Sequence, residues 1–244
     1  MSDWKYEPAR DLHLPPREQL KSLRREAGLA AFLAQGAWRL ATRSYLKMYH
    51  RFTILGGERL PRSAPFVLIA NHSSHLDALT LAAALPWRLR QCAFPIAAGD
   101  VFFQTTASSF FSALALNALP MWRKRCGTHA LDELRGRLVG EPAIYILFPE
   151  GTRTRDGKIG AFKPGLGRIV AGTNVPVVPC HLDGAFRALP PGARAPAPVR
   201  LTLRVGEPLV FADAPEERRG WMEITERLEA AVGSLAADAS RAGR

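Results

Sequence analysis

The sequence predicts an α/β protein with a central, mostly parallel sheet flanked by helices, preceded by an N-terminal helical segment. Two observations carry this. Short apolar runs alternate along the chain with segments of helical period. The two clearest runs, residues 65–71 (PFVLIAN) and 143–149 (AIYILFP), have the composition of buried strands, and each empties into a polar turn.

The elements follow in order. Residues 1–15 hold acidic residues and prolines, with no apolar run of the kind a secretory signal needs. Residues 16–28 read as a short charged helix and 29–50 as a second one, in which Phe32, Trp38, Leu40, Tyr45, Met48 and Tyr49 mix with Arg39, Arg43, Lys47 and Arg51. An apolar and aromatic face beside a basic one suits a helix lying flat in a lipid interface, and it equally suits a helix packed on its own domain. The greasy stretch 29–41 is interrupted by Gln35, Gly36 and Arg39 and is too short to span a bilayer. A membrane-associating segment that lies on the surface is therefore the expectation.

From Arg51 the period changes. FTILGG is a first strand, 65–71 a second, 78–85 a helix ended by Pro86, and 91–98 a strand. Residues 108–119 read as an apolar helix, 128–138 as a charged one, 143–149 as a strand, 165–172 as a helix and 175–180 as a strand. Residues 188–198 form a Pro-rich loop, 199–209 a late strand, and 214–237 an amphipathic helix. The expected division is 1–50 as tail and amphipathic helices and 51–244 as the α/β domain, because 244 residues with 47% apolar content suffice for one sizeable core.

Three cysteines, Cys92, Cys126 and Cys180, lack CxxC spacing, so neither a disulfide scaffold nor a zinc cluster is expected. A formal charge of +11 suits anionic lipid headgroups, nucleic acid or phosphorylated small molecules, and charge alone does not choose among them.

Three clusters carry chemistry. Asn71-His72-Ser73-Ser74-His75-Leu76-Asp77 lies where a strand gives way to a helix, the place where α/β folds put ligands. A tight turn can return the Asp77 carboxylate to the His72 imidazole, fixing its tautomer and raising the basicity of the other nitrogen. Asp77 also suits a plain helix N-cap, and His72 or His75 a metal or loop role. Phe148-Pro149-Glu150-Gly151-Thr152-Arg153 follows the second strong strand; its glycine admits a close ligand and its guanidinium can grip phosphate, although a polar turn closed by an ion pair fits as well. Lys163-Pro164-Gly165-Leu166-Gly167 precedes a helix whose start can hold an anion. The third cluster, Pro120-Met121-Trp122-Arg123-Lys124-Arg125, is either a solvated charge run or a further set of phosphate contacts.

Together these residues resemble the glycerolipid acyltransferase family, which includes the 1-acylglycerol-3-phosphate acyltransferases. Asn71, His72 and Asp77 match its first block, Phe148 to Arg153 its third, Val175-Pro176-Val177-Val178-Pro179 its fourth, and Met121-Trp122-Arg123 loosely its second. The order agrees across roughly residues 50–210. Cys180 stands where the family usually has an aliphatic residue, and Arg125 competes with Arg123 for the second block's arginine.

The resemblance implies His72 as general base oriented by Asp77, with the acceptor hydroxyl attacking the thioester of acyl-CoA or acyl-carrier protein directly. It implies that Arg123, Glu150, Gly151, Thr152 and Arg153 hold the acceptor, that turn amides serve the oxyanion, and that no metal or resident cofactor is required. The implied reaction acylates a lysophospholipid, first 1-acylglycerol-3-phosphate to give phosphatidate, peripherally on the cytoplasmic side of a membrane. Lyso-ornithine lipid, glycerol-3-phosphate or another amphiphilic alcohol would use the same pair. A basic nucleic-acid module is the rival from another class, and it lacks the interleaved aromatic and basic face such a module needs. A scaffold that kept the fold and lost the chemistry would not need His72, Asp77, Glu150 and Arg153 together.

Overall fold

Period-two burial places the core. In the computed structural model, which describes residues 29–98, 118–121 and 128–242, the strand Phe66–Ile69 (β2) sends Phe66 and Leu68 to one side and Val67 and Ile69 to the other, and all four are buried. The strand Ile144–Leu147 (β5) divides its residues the same way, with Ile144 and Ile146 opposite Tyr145 and Leu147. Both strands are continuous apolar runs because helices cover both faces of the sheet.

Among the described residues the sheet has eight strands. Besides β2 and β5 they are Thr53–Leu55 (β1), Ala93–Ala98 (β3), Leu119–Met121 (β4), Thr173–Asp183 (β6), Thr202–Val205 (β7) and Leu209–Phe211 (β8). Their order is β1-β7-β6-β2-β5-β3-β4, with β8 also pairing β6. The β1–β7, β6–β2, β2–β5, β5–β3 and β3–β4 pairs are parallel, and only β6–β7 and β6–β8 are antiparallel. The mostly parallel sheet expected from the alternating pattern is therefore present.

One face carries the helices Leu29–Tyr49 (α1) and Leu76–Ala84 (α2), with Leu46, Leu76, Leu81 and Ala84 against Phe66, Leu68, Ile146 and Val178. The other face carries Thr128–Gly140 (α3), Gly165–Val170 (α4) and Arg218–Ala242 (α6), whose Leu134, Leu138, Leu166, Ile169, Ile224, Leu228 and Val232 meet Val67, Ile69, Tyr145 and Val177. A four-residue helix, Ala185–Ala188 (α5), follows β6.

Three boundaries differ from the sequence reading. The helix expected at 108–119 ends in strand, since Leu119 starts β4 beside β3 (Ile96↔Leu119), while 108–117 lie outside the described residues. The single strand expected at 199–209 breaks into β7 and β8 around Gly206, where an added Cβ would lie 3.0 Å from Pro179 and 3.2 Å from Leu235. The strand expected at 91–98 begins at Ala93, after a short 3-10 helix over Trp87–Cys92.

The helix read as suited to lipid is tied to the domain at its C-terminal end. His50 is fully buried; its Nδ1–H donates to the Val199 carbonyl at 2.9 Å, leaving Nε2 to accept from the Tyr45 hydroxyl at 3.0 Å. The Tyr49 hydroxyl donates to the Pro196 carbonyl, and Leu201 N–H to the His50 carbonyl. The same helix shows Leu40 61% and Met48 82% exposed, so its two faces do different things. No helix among the described residues is long and apolar enough to cross a membrane.

On the opposite face α4 and α6 touch backbone to backbone. A Cβ at Gly167 would lie 2.5 Å from the Trp221 carbonyl oxygen and 2.6 Å from its Cα, neither of which can move without shifting a helix. Gly167→Ala is expected to destabilise the protein by about 1–3 kcal/mol through this overpacking, read as a lowered denaturation midpoint. An unchanged midpoint would show that the helices have slack that the packing denies.

Candidate active site

Sheet register brings the two strongest motifs together. Ile69 pairs with Leu147 on one side and with Pro179 on the other, so the turn after β2 and the turn after β5 emerge side by side at the carboxyl edge of the sheet. The chain then leaves in opposite senses. From β2 it runs through α2 on one face towards β3, and from β5 it runs through α4 on the other face towards β6, across β2. Loops that part in this way leave a crevice between them, where α/β sheets bind ligands.

Asp77 sits in the first turn of α2, fully buried, and its Oδ2 accepts three hydrogen bonds: from His72 Nδ1 at 2.8 Å, Ser73 N–H at 2.7 Å and Ser74 N–H at 2.8 Å. The residue at the helix N-cap is His75, so Asp77 holds the preceding turn from inside the helix rather than capping it in the ordinary way. A carboxylate at Nδ1 requires that nitrogen to carry the proton, which leaves Nε2 with a lone pair. The imidazole is 21% exposed and lies on Phe148, ring centroids 4.1 Å apart and 15° from parallel. Nδ1 is thus tethered, one ring face is covered, and Nε2 has no bonding partner among the described residues. The turn expected to bring Asp77 back to His72 does so.

Glu150 is buried, 6% exposed, and both its oxygens are taken by main-chain amides: Oε1 by His72 N–H at 2.6 Å and Oε2 by Gly160 N–H at 2.9 Å. Burial pushes its carboxyl above the ordinary value, and these two amide bonds oppose that push. Glu150 therefore braces the backbone of His72 against the loop 151–162. Thr154 N–H donates to the His72 carbonyl at 2.9 Å, so the motif after β5 holds both sides of the His72 peptide. Asn71 does the same towards β6, donating through Nδ2 to the Leu182 carbonyl at 3.1 Å and accepting at Oδ1 from Leu182 N–H at 2.8 Å.

The remaining motif residues lie around this frame. Gly151 adopts φ +72°, a conformation glycine enters without strain, and its N–H closes a turn onto the Phe148 carbonyl at 2.9 Å. Thr152 is exposed and Arg153 half-buried. Partial burial, and then the Arg153 and His72 charges, hold the His75 imidazole below its ordinary value, with the Asp77 charge opposing them. Arg123, expected as a phosphate contact, lies outside the described residues together with Arg125 and Cys126. Cys180 is fully buried in the core, its thiol pushed up to about 12 by burial.

Five of the turn amides expected to serve an oxyanion are occupied. Those of His72, Ser73 and Ser74 bind carboxylates, Leu76 N–H binds Ser74 Oγ, and Asp77 N–H points to the Ser74 carbonyl. Two contributions escaped the sequence reading, the Phe148 ring platform and the double bond from Asn71 to Leu182. The only sequence signal for either was its place in a motif, because each partner lies far along the chain.

The Acyltransferase family model matches residues 51–183, a span that begins just before β1 and ends with β6. A chloroplastic 1-acyl-sn-glycerol-3-phosphate acyltransferase of Brassica napus, BAT2, is 34% identical over 146 residues, covering 59% of this chain and 41% of its own. The human 1-acyl-sn-glycerol-3-phosphate acyltransferase alpha is 30% identical over 131 residues, 53% of this chain and 44% of its own. This chain thus spans about two fifths of the curated relatives it matches. The crystal structure of the 1-acyl-sn-glycerophosphate acyltransferase PlsC from Thermotoga maritima superposes with a TM-score of 0.60 at 23% identity, covering 85% of each chain, and so shares the fold. The family model spans more than half of the sequence, and this chain belongs to the Acyltransferase family.

Proposed function

We propose that this protein transfers a fatty acyl group from acyl-CoA or acyl-carrier protein to the free hydroxyl of 1-acylglycerol-3-phosphate, giving phosphatidate. The observation that carries the reading is His72, held at Nδ1 by a buried Asp77 and offering Nε2. The names of the relatives supply the acceptor.

In this reading the acceptor hydroxyl donates to Nε2. As its oxygen attacks the thioester carbonyl, the proton passes to His72, and the imidazolium so formed lies against the Asp77 carboxylate. Collapse of the tetrahedral intermediate expels the thiolate, which takes the proton back, so no protein nucleophile is acylated. Glu150 keeps His72 in place in this scheme, since both its oxygens hold backbone. The phosphate role falls to Arg153 and to residues beside it, with Arg123 as a further candidate.

The same reading places the protein peripherally on a membrane, at its cytoplasmic side, where lysophospholipid resides. The exposed face of α1 supports this, with Leu40 and Met48 beside the exposed Arg43 and Lys47. No bound cofactor is required, because the acyl thioester is a co-substrate.

Two experiments follow. Transfer from labelled acyl-CoA, and separately from acyl-carrier protein, to lysophosphatidate in mixed micelles is expected to give phosphatidate with the wild type. His72→Ala should lose about 10²–10⁴-fold in kcat while keeping its circular dichroism. Turnover by His72→Ala at the wild-type rate would overturn the assignment of the base. For the membrane, Leu40→Ser combined with Met48→Ser should weaken co-sedimentation with anionic vesicles by about tenfold or more, since two apolar side chains lose their burial in lipid. These positions are preferable to deleting residues 1–50, which would remove the fully buried Leu46 and His50. Unaltered sedimentation of the double variant would make the helix structural only.

A further inference from the structure

The loop after β5 carries an unclaimed cation. Lys163 lies outside the motif that ends at Arg153, yet the fold returns it to that motif's glycine. Its N–H donates to the Pro149 carbonyl at 2.9 Å, closing the base of the loop 150–162. Its side chain then runs back across Gly151. A Cβ on Gly151 would lie 2.8 Å from Lys163 Nζ, 3.3 Å from Cε and 3.2 Å from Cδ. The absence of a side chain at Gly151 is what lets this ammonium lie over the turn.

Among the described residues no carboxylate lies within ion-pair distance of Lys163 or of Arg153. The nearest acid in sequence to Gly151, Glu150, has both oxygens bound to amides. Asp156, at the loop's tip, is turned onto the Thr154 hydroxyl and Lys158 N–H. An exposed ammonium without a carboxylate partner thus lies over Gly151, Arg153 follows in the same loop, and Glu150 and Thr154 of that loop are hydrogen-bonded to the two sides of the His72 peptide. Two positive groups of different geometry, one planar fork and one point charge, suit a dianion with three terminal oxygens.

We propose that Lys163, laid across Gly151, is the second cation that grips the acceptor's phosphate, and that with Arg153 it makes this site select a phosphorylated acceptor over a neutral one. The proposal rests on the acyl-transfer reading above. Held by both cations, a phosphomonoester would keep the acceptor's glycerol next to the His72 turn. A CoA thioester also carries phosphates, so the donor is the alternative source of the same chemistry.

The test compares Lys163→Met, which keeps the apolar stem, and Lys163→Arg with the wild type. KM and kcat are measured for lysophosphatidate, for uncharged monoacylglycerol and for acyl-CoA. Equilibrium binding of lysophosphatidate below its micellar concentration is measured alongside, without donor. Lys163→Met should raise KM for lysophosphatidate by about 5- to 20-fold, the range expected for one solvent-screened charge-assisted contact, and leave kcat within about threefold. Its KM for monoacylglycerol and acyl-CoA should not move, and Lys163→Arg should restore most of the affinity. Unchanged lysophosphatidate binding by Lys163→Met overturns the proposal, and so does a KM rise confined to acyl-CoA, which would hand Lys163 to the donor. A wild type that binds lysophosphatidate through Lys163 yet never acylates it would overturn the acyl-transfer reading instead.

Discussion

The site depends on one buried oxygen. Oδ2 of Asp77, withdrawn from water, collects the His72 ring and the amides of Ser73 and Ser74. Its partner Oδ1 is buried with no bonding group among the described residues, so the carboxylate's whole compensation comes through one atom. A buried carboxylate is costly unless hydrogen-bonded, and here the bonds that satisfy it also shape the turn and choose the histidine's tautomer. Turn geometry, helix start and base cannot be varied separately. The same economy engages the amides of Ser73 and Ser74 with this carboxylate and that of His72 with Glu150.

Around that oxygen the fold adds braces from three strands. Glu150 after β5 and Asn71 at the end of β2 are both buried, and each spans two backbone segments: His72 with Gly160, and β2 with Leu182 of β6. Phe148 covers one face of the imidazole. Parallel pairing of β2 with both neighbours is what makes these braces short, because three carboxyl strand ends finish at the same edge. The family's motif residues accordingly divide by task. His72 presents a nitrogen, Arg153 presents charge, and Glu150, Asn71 and Gly151 shape the backbone that carries them.

Much of this was legible in the sequence, and the misses have physical causes. The strands at 65–71 and 143–149 were plain because burial on both faces makes an apolar run, and the spacing from His72 to Asp77 foretold a contact within a single turn. Leu119 was read as helical because a three-residue strand leaves no period to detect, and only its pairing with Ile96 defines it. The break between β7 and β8 falls at Gly206, which lies close to Pro179 and Leu235, neighbours in space and not in sequence. The bracing role of Glu150 was not legible, because a carboxylate's partners cannot be told from the chain when they are amides 78 and 10 residues away. Lys163 was noted only for its place before a helix; its return across Gly151 depends on how the loop closes.

The central claim is that Asp77 fixes His72 with its proton on Nδ1, leaving Nε2 as the base. It is tested most directly by ring ¹⁵N NMR of His72 at a pH where the imidazole is neutral, in the wild type and in Asp77→Asn. The account predicts a protonated Nδ1 and a bare Nε2 in the wild type, and loss of that preference in Asp77→Asn. A wild-type ring protonated on Nε2, or a tautomer indifferent to Asp77→Asn, would contradict it.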